Sequence, residues 1–267
     1  MALIFEKKNH IAYLTFNRPE AHHAVDPETA VELKGAWEDY RDDRNLRCAI
    51  ITGTGDKSFC AGLDLGRMIP LETGARQPET DAERAVADDP KIVQAAMLRD
   101  FELYKPVIAA VNGLAIAAGM ELVQACDIRI ASETAKFGLA EVKWAVFPRG
   151  SSTVRLPRQI PFCKAMEILL TGGLIDATEA LRIGFVNDVV PRDKVMEEAE
   201  RIASKIVKNG PLAIEGVKKA VTRNMGLTID EGLKNEWDLS QPVFQSRDAK
   251  EGPKAFKEKR EPEYRGE

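Results

Sequence analysis

Glu121 and Glu141 stand twenty residues apart, each directly after a compact, glycine-containing apolar stretch. Val111-Asn112-Gly113-Leu114-Ala115-Ile116-Ala117-Ala118-Gly119-Met120 precedes the first, and Phe137-Gly138-Leu139-Ala140 the second. Carboxyl groups that emerge from packed apolar surroundings have their pKa values raised towards neutrality by burial. A carboxyl tuned in that way can exchange protons near pH 7, which is general acid–base chemistry. Charged residues are mostly exposed, so on spacing alone two ordinary solvated glutamates are the commoner case.

Two other places offer backbone chemistry. Lys57-Ser58-Phe59-Cys60-Ala61-Gly62-Leu63-Asp64-Leu65 and Ala117-Ala118-Gly119 put small residues where a ligand can approach an N–H unhindered. Two such donors converging from separate turns would make an oxyanion hole, each worth roughly 3 kcal/mol in the transition state. Two tight turns in a packed sheet would account for the same residues. Other chemistries lack their residues. Gly53-Thr54-Gly55-Asp56-Lys57-Ser58 has Asp56 where a phosphate loop needs glycine. Gly-x-Ser-x-Gly is absent, and the only histidines, His10, His22 and His23, lie early in the chain. Serine hydrolase and zinc chemistry therefore have no clear candidates, and no metal is expected.

The elements that would position these groups follow from patterning. Strands are expected at 3–6 and 11–16 as a hairpin, then a helix capped by Asp26 with Pro27 in its first turn. Further strands at 46–52, 107–111 and 127–131, with a short helix at 119–125, indicate a parallel α/β core. Residues 68–90 turn polar without a clear period and read as a mobile lid or a solvated loop. Val195, Ala199, Ile202 and Ile206 carry the stripe of an amphipathic helix. Asn209-Gly210-Pro211 then separates it from further helices, one of them at 229–239 with Trp237. A core over 1–200 and a helical region over 201–267 are the expected divisions, without internal repeats.

The chain has 267 residues, 44% hydrophobic and 30% charged, enough for one large domain with an appendage. Its net charge of −4 gives no electrostatic footprint for nucleic acid. Cys48, Cys60, Cys126 and Cys163 form no C-x-x-C pair, which suits a reducing cytoplasm. The start of the chain puts its short apolar run before the positive charges, the reverse of a secretory signal. The apolar stretch 107–123 is interrupted by Asn112, Gly113, Gly119 and Glu121 and reads as core, not as a membrane span.

Taken in order, several fragments resemble the crotonase (enoyl-CoA hydratase/isomerase) superfamily over nearly the whole chain. They are Asn17-Arg18-Pro19-Glu20-Ala21, Phe59 to Leu65, Lys105 to Gly113, Phe137-Gly138 with Glu141, Leu170-Thr171-Gly172, and Glu251-Gly252 with Phe256, Lys259 and Arg260. Each is weak alone; their ordered spacing is specific. The resemblance implies a crotonase (ClpP-like) spiral of ββα units with a C-terminal helical trimerisation region. It also implies reversible addition of water to the double bond of an acyl-CoA thioester. In that family the N–H groups matching Leu63 and Ala118 bind the thioester oxygen. The glutamate matching Glu121 activates water, and the one matching Glu141 delivers a proton to the α-carbon. By the same resemblance coenzyme A would lie against Ala21, His22 and Ala24 and along Ala61, Asp64 and Leu65. Phe256 and Lys259 would reach it, in the family frequently from a neighbouring subunit of a homotrimer or dimer of trimers. Coenzyme A belongs to the substrate, and no other cofactor is implied.

Isomerase, carnitinyl-CoA-type dehydratase and acyl-CoA hydrolase activities occur on the same fold, as do silent thioester- or RNA-binding proteins. Retention of both glutamates favours hydration over these. Three departures from the family pattern bear on the substrate. Ala117 and Ala118 stand where consecutive glycines are common, and His23 where asparagine is usual. Arg149, in Pro148-Arg149-Gly150-Ser151-Ser152, replaces a glycine and would either meet a polar group of the substrate or point into solvent. Met68, Trp144, Phe147 and Arg149 are the expected acyl-pocket residues.

Overall fold

The computed structural model describes residues 1–267. The hairpin forms from β1 (Leu3–Lys8) and β2 (Ile11–Phe16), paired antiparallel. The chain then enters α1 (Pro27–Asp42), where Asp26 caps the helix by accepting from the Thr29 N–H at 2.9 Å. Trp37 and Tyr40 of this helix are fully buried, and the Tyr40 hydroxyl donates to the Pro106 carbonyl.

From here strands alternate between two sheets. Strands β3 (Cys48–Gly53) and β4 (Ser58–Cys60) are followed by α2 (Met68–Glu72), α3 (Asp81–Asp88) and α4 (Lys91–Ala96). Next come β5 (Val107–Val111), β6 (Leu114–Ile116) and α5 (Ala118–Ala125), then β7 (Ile128–Ser132) and β8 (Lys136–Gly138). A 3-10 turn at Ala140–Trp144 leads to α6 (Ser152–Gln159) and α7 (Phe162–Thr171). The run closes with β9 (Leu174–Asp176), α8 (Ala177–Arg182) and β10 (Asp188–Val190). One sheet has the order β1-β2-β3-β5-β7-β10 and the other β4-β6-β8-β9. Each winding thus adds one strand to each sheet before crossing back through a helix, which is the ββα spiral.

Period-two alternation divides the large sheet. Ala49 and Ile51 of β3 face the main core, whereas Cys48 and Ile50 face a second cluster with Ile108, Ala110 and Ile130. That second face is covered by Val195, Ala199 and Ala203 of α9 (Val195–Ile206), so the expected amphipathic stripe finds its partner. The helix crosses position 200, so the expected division between core and helical region falls inside an element that packs on the sheet. After it, α10 (Pro211–Asn224) and α11 (Ile229–Gln245) pack on each other without burying a single residue, and α12 (Asp248–Glu258) buries only Asp248 and Ala255. No helix is long and apolar enough to cross a membrane.

The polar segment 68–90 differs from its expected form. It is not an irregular loop, but holds α2 and α3, and Thr80 and Glu83 close a capping box at the start of α3. The Glu83 carboxylate, 3% exposed, accepts from Arg67, from Arg76 and from the Glu79 N–H. Arg67 in turn reaches Asp26 and Glu28 at the start of α1. Buried ion pairs with full hydrogen bonding of this kind order a segment that apolar periodicity alone does not mark.

Candidate active site

A cavity of about 400 Å³ is lined by 24 residues, 16 of them hydrophobic. Ala61, Leu63 and Leu65 come from the turn after β4, and Ala117, Ala118 and Glu121 from the start of α5. Glu141, Trp144, Phe147 and Arg149 belong to the segment between β8 and α6.

The two backbone turns are held together by an unusual closeness. Gly62, at φ +93°, faces Ala117 and Ala118 so tightly that a Cβ would sit 2.8 Å from the Ala117 Cβ and 3.1 Å from the Ala118 nitrogen. The Asn112 amide fixes the approach from below by donating to the Gly53, Gly55 and Ser58 carbonyls. Neither the Leu63 nor the Ala118 N–H donates to an acceptor of the chain, and Ala118 opens α5, where N–H groups lack intrahelical partners. Both are free to meet a ligand oxygen.

Glu121 lies in the first turn of α5 and is 3% exposed. Burial raises its pKa, and donors oppose that rise: the Ser152 N–H reaches Oε1 at 3.2 Å, and the Gly150 backbone packs on the same carboxylate. Gly150 sits so close that a Cβ there would overlap the carboxylate oxygens. Glu141, in the 3-10 turn, is half-buried with an Oε2 that has no hydrogen-bond partner. Burial, and then the nearby Glu121 charge, push its pKa up to about 7. Several donors from Gly150 and Ser152 face the Glu121 carboxyl, whereas Glu141 has only its own backbone N–H and an unpartnered Oε2, an arrangement that can accept a proton on one side and supply it on the other.

The remaining expected residues divide. Trp144, Phe147 and Arg149 do line the cavity, with both aromatic rings largely exposed at its edge. Arg149 is 64% exposed at the cavity edge, where its guanidinium meets Glu72 of α2 at 2.6 Å. Met68 is fully buried in the main core, and its neighbour Ile69 takes the place in the lining that Met68 was expected to hold.

Residues 22–25 run beside 61–64 through the Ala61 N–H to His22, Val25 N–H to Gly62 and Asp64 N–H to Val25 bonds. Ala21, His22 and Ala24 therefore flank the cavity wall without lining it. The Asp64 carboxylate is taken up by the Gly66 and Arg67 N–H groups of its own turn. His23 is a satisfied structural residue, accepting from the Arg18 N–H and donating to the Thr54 carbonyl. Phe256 and Lys259 lie outside the cavity, Phe256 being 87% exposed.

Sequence reasoning missed the wall supplied by Leu71, Val86, Val93 and Met97, and Glu72 as the partner of Arg149. The Thr80-x-x-Glu83 capping signal could have shown a helix there. No cluster of three His, Cys, Asp or Glu side chains is placed to hold a metal ion.

A family model described as enoyl-CoA hydratase/isomerase matches residues 6–267. Enoyl-CoA hydratase EchA19 of Mycobacterium tuberculosis is 40% identical over 98% of this chain and 95% of its own. An (E)-benzylidenesuccinyl-CoA hydratase of Thauera aromatica is 40% identical over the full length of both chains. The crystal structure of an enoyl-CoA hydratase from Bacillus anthracis superposes with a TM-score of 0.89 at 35% identity, covering 100% of each chain.

Proposed function

Since the chain belongs to the enoyl-CoA hydratase/isomerase family of the crotonase superfamily, we propose that it is an enoyl-CoA hydratase using Glu121, Glu141 and the Leu63 and Ala118 N–H groups. The observation that carries this reading is the convergence, in one cavity, of two carboxyl groups of raised pKa and two unpartnered N–H donors. Water loses a proton to Glu121 as its oxygen bonds to the β-carbon of the unsaturated thioester. The displaced electron pair moves to the thioester oxygen, where the Leu63 and Ala118 dipoles stabilise the enolate. Collapse of that enolate takes a proton from Glu141 at the α-carbon, and both carboxyl groups then re-equilibrate with solvent.

The coenzyme would run from Leu63 past residues 21–24, with Phe256 and Lys259 reaching it from a neighbouring copy. A homotrimer or dimer of trimers would supply that copy. Cavity size, the Trp144 and Phe147 rings and the α2 to α4 wall favour a bulky acyl group over a four-carbon one. A relative named for a benzylidenesuccinyl thioester is consistent with that class. Loss of the conjugated-thioester absorbance, followed over a panel of enoyl-CoA esters, tests both points. Turnover is expected, with kcat/KM for aryl or branched enoyl-CoA at least about tenfold above crotonyl-CoA, the scale of one or two buried methylenes. No turnover with any member would overturn the hydratase reading.

A further inference from the structure

The Leu63 N–H is aimed by a short backbone ladder, and an arginine outside the cavity lining holds that ladder. Residues 22–25 and 61–64 run parallel, with Val25 donating to the Gly62 carbonyl at 2.8 Å and accepting from the Asp64 N–H at 2.9 Å. Backbone polar groups of successive strand residues alternate in direction, so this pairing turns the intervening Leu63 N–H to the opposite side. The ladder has only one further rung, the Ala61 N–H to the His22 carbonyl. It also begins in a strained turn, because His22 and His23 lie in the left-handed region at φ 51° and 58°.

Arg18 spans both segments. Its Nη1 donates to the Ala24 carbonyl at 2.6 Å and pairs with Asp26 at 3.1 Å, on either side of Val25. Its Nη2 faces the Asp64 carboxylate at 3.6 Å, directly after Leu63. Both acids have other partners: Asp26 meets Arg67 and caps α1, and Asp64 accepts from the Gly66 and Arg67 N–H groups. What Arg18 adds is a charged tie across the ladder, for which the planar guanidinium fork offers separate donors to a carbonyl and to two carboxylates.

We infer that Arg18 is a positioning residue for the Leu63 N–H, holding the two segments in the register that aims this donor at the thioester oxygen. The inference rests on Leu63 serving as an oxyanion donor in the proposed reaction. Preorganised dipoles stabilise a developing charge only while their direction is fixed, so slack in the ladder weakens the transition state more than the bound ground state.

The test reads carbonyl polarisation in the enzyme mixed with a para-amino-substituted cinnamoyl-CoA, whose absorbance moves to the red when its thioester oxygen accepts hydrogen bonds. In Arg18→Met the red shift is expected to fall by roughly half, as for one of two donors displaced. For a hydrated enoyl-CoA, kcat should fall by about 10- to 10²-fold with KM changed less than about threefold. A variant that had lost only stability would keep the parent's shift at temperatures below its melting point. A folded Arg18→Met with the parent's shift would overturn the inference, whatever its kcat. If Arg18→Met does not fold, Asp64→Asn decides, since it removes the charge that Arg18 faces and leaves an oxygen for the Gly66 and Arg67 N–H groups. A reduced shift there supports the tie, and an unchanged one overturns it. Absence of any shift in the bound parent would overturn the oxyanion reading and this inference with it, whereas a parental shift that survives in the variants sinks this inference alone.

Discussion

Glu121 and Glu141 differ in what their oxygens can reach, and the roles proposed for them follow that difference. Donors from Gly150 and Ser152 offset the burial of Glu121, whereas Glu141 has an Oε2 with no partner and a pKa near 7. As the proposed proton donor in hydration Glu141 would have to carry a proton, so rate should fall as pH rises through about 7. Glu141→Gln and Glu121→Gln should each lower kcat by about 10² to 10⁴, and the first should also abolish that alkaline limb in a pH–rate profile. Stability gives an independent check. A carboxyl whose folded pKa lies above its unfolded value destabilises the fold once pH passes from the ordinary range near 4.5 up to about 7. Glu141→Gln, which carries no charge, should therefore melt above the parent at pH 8 and show little gain at pH 4. The same melting temperature at pH 8 would mean that the site is not stressed by this carboxylate.

The helices α2 and α3 form one wall of the cavity because a buried carboxylate ties them to α1. Arg76, then the Glu79 N–H and Arg67, hold Glu83 well below the usual carboxylate range. A depressed carboxyl contributes stability that is fully present above the unfolded value and disappears as pH falls through the lower folded one. Glu83→Gln should thus loosen this wall at neutral pH and leave the sheet core unaffected, since α5 and the strands do not depend on it. Hydrogen exchange would read this as lost protection confined to 68–96. Unchanged protection there would show that the apolar contacts of Leu71, Val86 and Val93 suffice. Arg149 joins the same wall through Glu72, so opening the segment should weaken substrate binding more than it slows chemistry.

The assembled chain leaves one large face without a partner. Val217, Val221, Leu233, Trp237 and Phe244 of α10 and α11 are each more than half exposed, on helices that bury nothing. Several large apolar side chains exposed on two packed helices are the kind of surface that a subunit interface would cover. Light scattering after size exclusion should give a trimer or a multiple of it, and a Trp237→Glu, Phe244→Glu double variant should dissociate. A parent chain that elutes as a monomer would refute assembly through this face. Completion of the coenzyme site would depend on the same contact, so the dissociated variant should show a raised KM.

Much of this was legible in the residue order. The capped helix from Asp26, the strands at 11–16 and 107–111 and the stripe of α9 all follow from periods and caps, which are local properties. The two glutamates stood out by their apolar company. Local pattern cannot carry the rest. A spiral needs each strand to leave one sheet for the other, yet every strand asks only for apolar residues, so no repeat is visible in the sequence. The closeness of Gly62 to Ala118, the donors on Glu121, the Arg149 to Glu72 pair and the burial of Met68 each join residues distant along the chain. Such contacts are settled when the helices and sheets pack, because solvent exclusion and hydrogen-bond partners, the quantities that set a pKa, exist only in three dimensions.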